Sequence, residues 1–302
     1  MYEIALSVSA CVRGHTRADI AWLISSTNSI VPMSFDAIAM TPGGGKIGSL
    51  VNSAFDGPLI EHATRKLPTG RILTRVITDF ESTIADLPTG TSLKFAVLPS
   101  DLVEPALWQS FLDRESVAIV CHIDGDEIVR TDYFNSVTII AAEPEIAENF
   151  NKNESMIVEL EDKIVTIYHP VTRLVIAGQG PIAQAIEKIA TALGWNVSIH
   201  SQPSMFAGLA AGLSPMDCAI IMGHDVDTSS QCLSYALESS AGYIGALGSL
   251  KMQDNRADWL AYRDVTDLSR VYGPAGFSIG ASTPDEIAIS ILAEAISVLK
   301  GV

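Results

Sequence analysis

The chain has 302 residues, a length sufficient for two domains of ordinary size. Hydrophobic residues make up 48% and charged residues 18%, which is enough apolar material for buried cores and argues against a disordered chain. The net charge of −16 repels nucleic acid and anionic membrane surfaces, so we expect neither as a partner. An anionic ligand therefore has to be held by a local site, such as a helix N-terminus.

The cysteines give information about the compartment. Cys11, Cys121, Cys218 and Cys232 contain no CxxC pair, which favours buried thiols in a reduced, cytoplasmic protein. No apolar run approaches the about 18 residues of a membrane span. The opening MYEIALSVSACVRGH carries Glu3 and no basic start, which is not typical of a signal peptide. We expect a homodimer on the general frequency of such assemblies.

Residues 1–155 are predicted to form an N-terminal α/β domain with a mixed sheet. The apolar runs predict strands 20–24 and 37–41, a turn 42–45, a strand or its lead-in 47–51, a helix 58–66, and strands 93–98 and 116–121. Between Ala141 and Pro170 the composition becomes acidic and rich in Asn, which predicts a surface helix and loop, then a short strand at 163–168. We place the domain boundary in this segment.

Residues 170–302 are predicted to form a C-terminal Rossmann-type domain with a parallel sheet, because strands and helices alternate. The predicted strands are 173–177, 195–199, 218–222 and 243–247, and the predicted helices are 181–193, 229–237 and 250–262. The last helix begins at a capping box, Thr283-Pro-Asp-Glu286, and ends at Gly301.

The first candidate site is Gly178-Gln-Gly180-Pro-Ile-Ala183, a G-x-G-x-x-A pattern between a strand and a helix. Its glycines allow close backbone approach, and the helix N-terminus offers N–H groups to a phosphate. A tight turn without a ligand is the alternative. An ordinary NAD site also needs an acidic residue after the second strand, where Ser198-Ile-His-Ser-Gln202 supplies none. NAD(P) is therefore a disfavoured cofactor.

Two more candidate loops follow the third and fourth strands. Gly223-His-Asp-Val-Asp227 brings His224, Asp225 and Asp227 to the carboxyl edge of the sheet, as a metal cluster, as the polar wall of a ligand cleft, or as turn and cap residues. Gly245-Ala-Leu-Gly248-Ser249 has small residues that either admit a ligand or serve helix–strand packing. The candidate ligand contacts in these loops are His224, Asp225, Gly248 and Ser249.

Two glycine-rich loops complete the candidates. Gly273-Pro-Ala-Gly276-Phe-Ser-Ile-Gly280 leads into the last helix, and turn chemistry alone also explains it. Pro42-Gly-Gly-Gly-Lys-Ile-Gly48-Ser49, followed by Asn52, Ser53 and Asp56, resembles a phosphate-binding loop. It lacks the Ser or Thr that a P-loop has after its lysine, so a hairpin turn is the alternative.

The segments after the strands are expected to meet at the carboxyl edge of the parallel sheet, at its topological switch point. The Gly48–Asp56 loop is the expected opposite wall, since clefts between domains are favoured ligand sites. The sequence contains no G-x-S-x-G elbow, no nucleophile–base constellation and no histidine pair at metal-ligand spacing. We therefore assign no catalytic or metal residue, and a protein without catalytic activity is favoured over an enzyme.

These motifs, in this order, resemble the XdhC/CoxI family, the accessory factors for molybdenum-cofactor enzymes such as xanthine dehydrogenase. The resemblance covers most of residues 170–300. The segments that carry it are Leu174-Val-Ile-Ala-Gly-Gln-Gly180, Met222-Gly-His-Asp225, Tyr243-Ile-Gly-Ala-Leu-Gly-Ser249, Gly273-Pro-Ala-Gly-Phe-Ser-Ile-Gly280 and Thr283-Pro-Asp-Glu-Ile-Ala-Ile-Ser-Ile-Leu-Ala-Glu294.

The N-terminal half resembles the family less closely. Val31-Pro32 and then Gly48-Ser49-Leu-Val-Asn-Ser-Ala54-Phe-Asp56 stand where the family has a GS-x-P and a G-S-V-S-G-G-C-V-E segment. Ala54 occupies the cysteine position, which excludes cofactor binding through that thiol. Ser201 and Pro203 also replace an Asp and an Arg that usually follow the second strand. The chain is thus similar to a divergent member of the family.

The resemblance implies a maturation factor that binds the molybdenum cofactor (molybdopterin), a phosphate-bearing pterin with a dithiolene-bound metal. Such a factor delivers the cofactor to the apoenzyme of a xanthine dehydrogenase-like molybdenum hydroxylase. The residues themselves leave two alternatives open, an NAD(P)-dependent oxidoreductase and a nucleotide-binding module without catalysis.

Overall fold

Two units make up the structure. A computed structural model describes residues 1–28 and 36–301, which divide into Met1–His169 and Pro170–Val302. The motif Val31-Pro32 lies outside the described residues. The strands of the first unit are β1 (Asp19–Ser26), β2 (Ala37–Met40), β3 (Lys46–Gly48), β4 (Gly70–Val76), β5 (Ser92–Pro99), β6 (Val117–Asp124), β7 (Glu127–Asn135), β8 (Met156–Glu159) and β9 (Lys163–Tyr168). Its α-helices are α1 (Tyr2–Arg13), α2 (Asp56–Thr64), α3 (Asp79–Ala85), α4 (Pro105–Leu112) and α5 (Pro144–Phe150).

The first unit is built on one sheet with the strand order β3-β2-β1-β5-β4-β7-β6-β9-β8. Its α/β class is confirmed, but the expected mixed sheet is corrected, because every pairing between its described strands is antiparallel. The physical reason is clearest at β6–β7 and β8–β9, where loops of two and three residues join neighbours. Only antiparallel strands accept connections that short.

Strand β1 shows how this sheet is covered on both faces. Ile20, Trp22 and Ile24 pack into one core with residues of α1 and α4, whereas Ala21 and Leu23 pack into a second core with residues of α2. Successive side chains of a strand point to opposite faces. A strand that is buried on both faces therefore appears in the sequence as a continuous apolar run.

Residues 156–169, between the two expected domains, belong to the first unit. Strand β9 pairs with β6 along its length, from Val117 opposite Tyr168 to His122 opposite Lys163. Strand β8 then pairs with β9 at the edge of the same sheet. The hydrogen bonds of this edge complete the first unit at His169.

The second unit is a doubly wound parallel sheet. Its strands are β10 (Arg173–Ala177), β11 (Asn196–His200), β12 (Cys218–Ile221), β13 (Tyr243–Ala246) and β14 (Val271–Tyr272). Its helices are α6 (Pro181–Ala192), α7 (Pro203–Ala210), α8 (Val226–Glu238), α9 (Leu250–Ala261) and α10 (Pro284–Lys300). The strand order is β11-β10-β12-β13-β14, and each pairing is parallel, which confirms the Rossmann-type architecture.

Helices cover both faces of the parallel sheet. One core contains residues of α6 and α10, and the other contains residues of α7, α8 and α9. The chain leaves β10 towards β11 on one side and leaves β12 towards β13 on the other, so the topological switch point lies between β10 and β12. No helix in the described ranges is long and apolar enough to cross a bilayer.

The capping box predicted for the last helix is confirmed. The hydroxyl of Thr283 accepts the Glu286 N–H, the Glu286 carboxylate accepts the Thr283 N–H, and Gly301 closes α10 with φ +68°. Hydrogen bonds to its carboxylate from the N–H groups of Ser282 and Thr283, and from their hydroxyls, lower the pKa of Glu286 to about 2. The sequence did not predict α1, α3, α4 and α7 or strands β4, β7, β8 and β14.

The compositional break before residue 170 yields the first testable prediction. We expect a fragment of residues 168–302 to fold alone, because its sheet and both flanking helical layers lie within the second unit. Far-ultraviolet circular dichroism at neutral pH, followed on heating, checks this expectation. As a matched pair, residues 1–169 should unfold cooperatively and residues 1–155, which lack β8 and β9, should not. An unfolded 168–302 fragment would show that the boundary is wrong.

Candidate functional site

A cleft of ≈ 860 Å³ opens at the switch point of the second unit. Its walls come from the carboxyl ends of β10, β12 and β13, from the first turns of the helices that follow them, and from Ser201 after β11. Gly178, His224, Asp225, Gly248 and Ser249 all line it. The structure thus brings together three of the four segments that were expected at this edge.

Gly178 allows the two central strands to approach each other. A Cβ atom there would overlap the carbonyl oxygen of Met222 and lie 2.9 Å from the Met222 Cβ. The Gly178 N–H donates to the carbonyl oxygen of His200 at 2.8 Å, which also fixes β11. The first glycine of the motif is therefore required by strand packing, and its backbone forms the floor of the cleft.

Gly180 begins helix α6 with φ +116°, and a Cβ at this residue would meet no atom within 4 Å. No side chain caps this helix, and Pro181 occupies its first turn. The Gln184 N–H donates to Gly180 O at 3.1 Å, which is the first hydrogen bond of the helix. The N–H groups of Ile182 and Ala183 come before it and have no carbonyl acceptor within the helix. Ala183 itself is buried against the sheet. This N-terminus can accept an anion.

Asp225 is the cap of helix α8. Its carboxylate accepts the N–H of Thr228 at 2.7 Å, and hydrogen bonds from the Thr228 hydroxyl and N–H hold the pKa of Asp225 below its usual value. Asp227 accepts the indole N–H of Trp259 at 2.6 Å and does not line the cleft. The described residues contain no group of three or more His, Cys, Asp or Glu side chains arranged to hold a metal ion. His224 is exposed in the cleft wall.

Gly248 and Ser249 form the wall after β13. The hydroxyl of Ser249 caps helix α9 by accepting the N–H of Met252 at 3.4 Å. Both α8 and α9 thus satisfy their first turns with their own side chains, whereas α6 does not. Among the three helices that start at the cleft, α6 is the one whose N-terminus is open to an anion.

Gly276 does not line the cleft. Its N–H donates to the Glu294 carboxylate at 2.8 Å, and the same carboxylate accepts the hydroxyl of buried Tyr243 at 2.7 Å. The loop after β14 is therefore held against α10. A ligand contact at Gly276 remains a prediction without support from this geometry.

Gly48, Ser49, Asn52 and Asp56 lie in the first unit. Gly48 ends β3 opposite Ile38 of β2, and Asn52 adopts left-handed backbone angles with φ 52°. Asp56 is buried, pairs with Lys46 and accepts the N–H of Leu50 at 3.2 Å. These contacts close the loop on itself. Its role in ligand binding stays a prediction.

Residues 174–295 match a family model described as the XdhC Rossmann domain. The second unit is thus similar to the XdhC Rossmann domain. This match confirms the resemblance seen in the sequence of that unit. The matched region begins at the second residue of β10 and ends five residues before the end of α10, so it includes the parallel sheet except Arg173.

Curated relatives match over part of their length. The molybdenum cofactor insertion chaperone PaoD of Escherichia coli (strain K12) is 30% identical over 134 residues, 43% of this chain and 41% of that protein. A probable xanthine dehydrogenase subunit of Bacillus subtilis (strain 168) is 27% identical over 152 residues, 44% of each protein. The uncharacterized protein YqeB of Escherichia coli (strain K12) is 27% identical over 148 residues, 42% of this chain and 27% of that protein. The chain thus spans less than half the length of these relatives.

A solved structure described as a xanthine dehydrogenase from Bacillus halodurans is also similar. It is 20% identical, has a TM-score of 0.48, and the alignment covers 98% of this chain and 96% of that one.

The second unit contains site residues that the sequence did not indicate. Ser201 and Cys232 line the cleft, and burial raises the pKa of the Cys232 thiol to about 11. Arg256 lies behind the wall, fully buried, and donates to Leu247 O at 2.7 Å. Cys232 and Arg256 are single residues within helices, and no local pattern distinguishes such residues from core or surface ones. Ser201 alone had a signal, since it follows the second strand.

We predict that NAD binds weakly to this domain. Ser201 lines the cleft after β11, where an acidic residue would accept the ribose hydroxyl. Loss of one charge-assisted hydrogen bond costs about 1.5–3 kcal/mol, or about ten- to a hundredfold in affinity. Calorimetry should show no submicromolar NAD binding by the unaltered chain. The variant Ser201→Asp should bind NAD with higher affinity than the unaltered chain. Submicromolar binding by the unaltered chain would contradict the prediction.

We also predict that Asp225 stabilises the domain as a cap. Asp225→Ala should lower the melting temperature at neutral pH, whereas Asp225→Asn, which keeps an acceptor oxygen, should lower it less. Because the folded pKa is lowered, the charge contributes stability above the ordinary Asp pKa, and this contribution is lost as pH falls through the folded pKa. Thermal unfolding of the three proteins between neutral and acidic pH measures it. Equal melting temperatures at neutral pH would rule out the capping role.

Proposed function

We propose that this chain holds the molybdenum cofactor and delivers it to the apoenzyme of a xanthine dehydrogenase-type molybdenum hydroxylase. The names of two relatives support this function, one a molybdenum cofactor insertion chaperone and the other a probable xanthine dehydrogenase subunit. The observation that carries the proposal is the cleft of the second unit, where helix α6 begins without a side-chain cap.

The cleft fits the organic part of the cofactor in size and in character. Its volume of ≈ 860 Å³ lies within the range of small-molecule sites. Apolar side chains of Ile182, Met222, Leu247 and Met252 supply surface for a flat ring system. Such walls favour a pterin, while polar edges orient it.

The phosphate of the cofactor fits the start of α6. The N–H groups before the helical ladder and the positive end of the helix dipole both favour an anion there. Gly180 adds no side chain to obstruct it. With a net charge of −16, the rest of the chain does not compete for this phosphate.

The metal of the cofactor stays on its own dithiolene in this proposal. Ala54 has no thiol to offer, and Cys232 in the cleft is neutral at physiological pH because burial raises the pKa of its thiol. This chain's residues therefore bind and shield the pterin and its phosphate. They do not replace the ligands that the metal already has.

The proposal includes a cytoplasmic homodimer. The cysteines of the described chain are free thiols, and Cys121, Cys218 and Cys232 are buried, which is usual in a reducing compartment. Two-fold dimers are the commonest soluble assemblies. Analytical ultracentrifugation of the purified chain measures the oligomeric state.

Filling the cleft tests the proposal. Gly180 is unsuitable for this purpose, because its φ of +116° strains any other residue. Gly223 lines the cleft, and a Cβ there would make only an ordinary contact of 3.6 Å with the Cβ of Ser229. Gly223→Leu should therefore fold and place a branched side chain in the cleft.

We expect Gly223→Leu to lose most of the pterin that co-purifies with the chain from cells that make the cofactor, and to activate apo-hydroxylase poorly. Pterin content is measured by fluorescence after oxidation and denaturation. Gly208→Leu is the matched control, because Gly208 is an exposed residue of α7 outside the cleft, with no atom within 4 Å of its Cβ position. Equal pterin content in both variants would remove the cleft as the binding site, and no pterin in the unaltered chain would contradict the function.

A further inference from the structure

Arg256 is a buried cation without an acidic partner. Its side chain, on α9, is 0% exposed. The guanidinium donates to Ser229 Oγ at 3.0 Å, Leu247 O at 2.7 Å, Gly223 O at 3.1 Å and Gln253 Oε1 at 3.3 Å. All four acceptors are neutral. Among the described residues, no salt bridge includes Arg256.

The same domain shows the usual arrangement for a buried charge. Asp217 is fully buried, and its carboxylate pairs with the guanidinium of Arg173 at 2.7 Å. Buried charges are normally paired in this way, because an unpaired one loses its hydration without compensation. The chain has 16 more acidic than basic residues, so acidic side chains that could pair with Arg256 are abundant. Burial also lowers the pKa of Arg256, as expected for a cation without a nearby carboxylate.

The position of Arg256 explains what the charge faces. Three of its acceptors, Gly223, Ser229 and Leu247, belong to residues that line the cleft. Its Nη1 lies 3.8 Å from the position of a Cβ on Gly248, another lining residue. The guanidinium therefore lies directly behind the wall that β12 and β13 form. The wall in front of it includes Gly223 and Gly248, which have no side chains to separate the guanidinium from the cleft.

We propose that Arg256 is a positioning residue whose charge attracts an anionic group of the ligand to the β12–β13 wall of the cleft. The missing counter-charge is then the ligand itself. A charge behind a wall of low dielectric acts at longer range than one in water. This inference rests on the proposed use of the cleft as a binding site, but not on the identity of the ligand as the molybdenum cofactor. A purely mechanical role, in which the guanidinium only ties three segments together, is the rival.

Inorganic pyrophosphate is the probe, titrated into the full chain by calorimetry at low ionic strength. Arg256→Lys keeps the charge and loses most of the hydrogen bonds, while Arg256→Met keeps the volume and loses both. Arg256→Met leaves the acceptors of the guanidinium without a donor, which costs stability, so circular dichroism first establishes that each variant is folded. Arg256→Gln, which keeps one donor, is the second neutral variant.

We expect the two neutral variants to bind pyrophosphate weaker by about tenfold or more, and Arg256→Lys to stay within about threefold of the unaltered chain. Arg270→Gln is the matched control. Arg270 donates to the main-chain carbonyls of Leu237, Ser239 and Ala241 and does not line the cleft. Its loss should lower the melting temperature and leave pyrophosphate affinity unchanged.

Three results would overturn the inference. They are an unaltered affinity in the neutral variants, an equal loss in Arg256→Lys and Arg256→Met, and an absence of pyrophosphate binding by the unaltered chain. The second result would favour the mechanical role. Pyrophosphate binding needs no molybdenum cofactor, so a chain that binds the probe through Arg256 but carries no pterin would contradict the proposed function and leave this inference standing.

Discussion

The close approach of β10 and β12 at their carboxyl ends is the constraint on which the cleft depends. A side chain at Gly178 would overlap the carbonyl oxygen of Met222, so these strands can be neighbours only if residue 178 is glycine. From this point α6 packs on one face of the sheet and α8 on the other. The space between their first turns is the cleft, and every other wall residue is added around it.

Charge decides what this space can hold. Asp225 and Ser249 satisfy the first turns of α8 and α9, so neither helix offers its N-terminus to a ligand. Helix α6 has no such cap, and Arg256 adds a buried positive charge behind the opposite wall. In a chain with a net charge of −16, these two features make the cleft a local exception to an acidic surface. An anionic ligand is the chemistry that this arrangement favours.

The candidate loops show which cleft residues can be predicted from their position after a strand. Gly178, His224 and Gly248 follow β10, β12 and β13, which stand side by side at the switch point, and all three line the cleft. Gly276 follows β14 at the edge of the sheet, two strands from β12, and its N–H donates a hydrogen bond to the Glu294 carboxylate. Asp227 is two residues from Asp225, about 200° around the helix, and so it faces α9 and accepts from Trp259.

The sequence by itself determined the alternation of strands and helices after residue 170, the glycine turn before α6 and the capping box of α10. Each of these is encoded within about ten neighbouring residues, by spacing or by local hydrogen bonds. The sequence could not determine the antiparallel sheet of the first unit, the order β11-β10-β12-β13-β14 or the burial of Arg256. Those depend on which distant segments pair and pack. A helix with Gln253, Asp254, Asn255 and Arg256 in succession has the composition of an exposed one. Only the packing of α9 against α8 and the sheet places Arg256 behind the cleft wall.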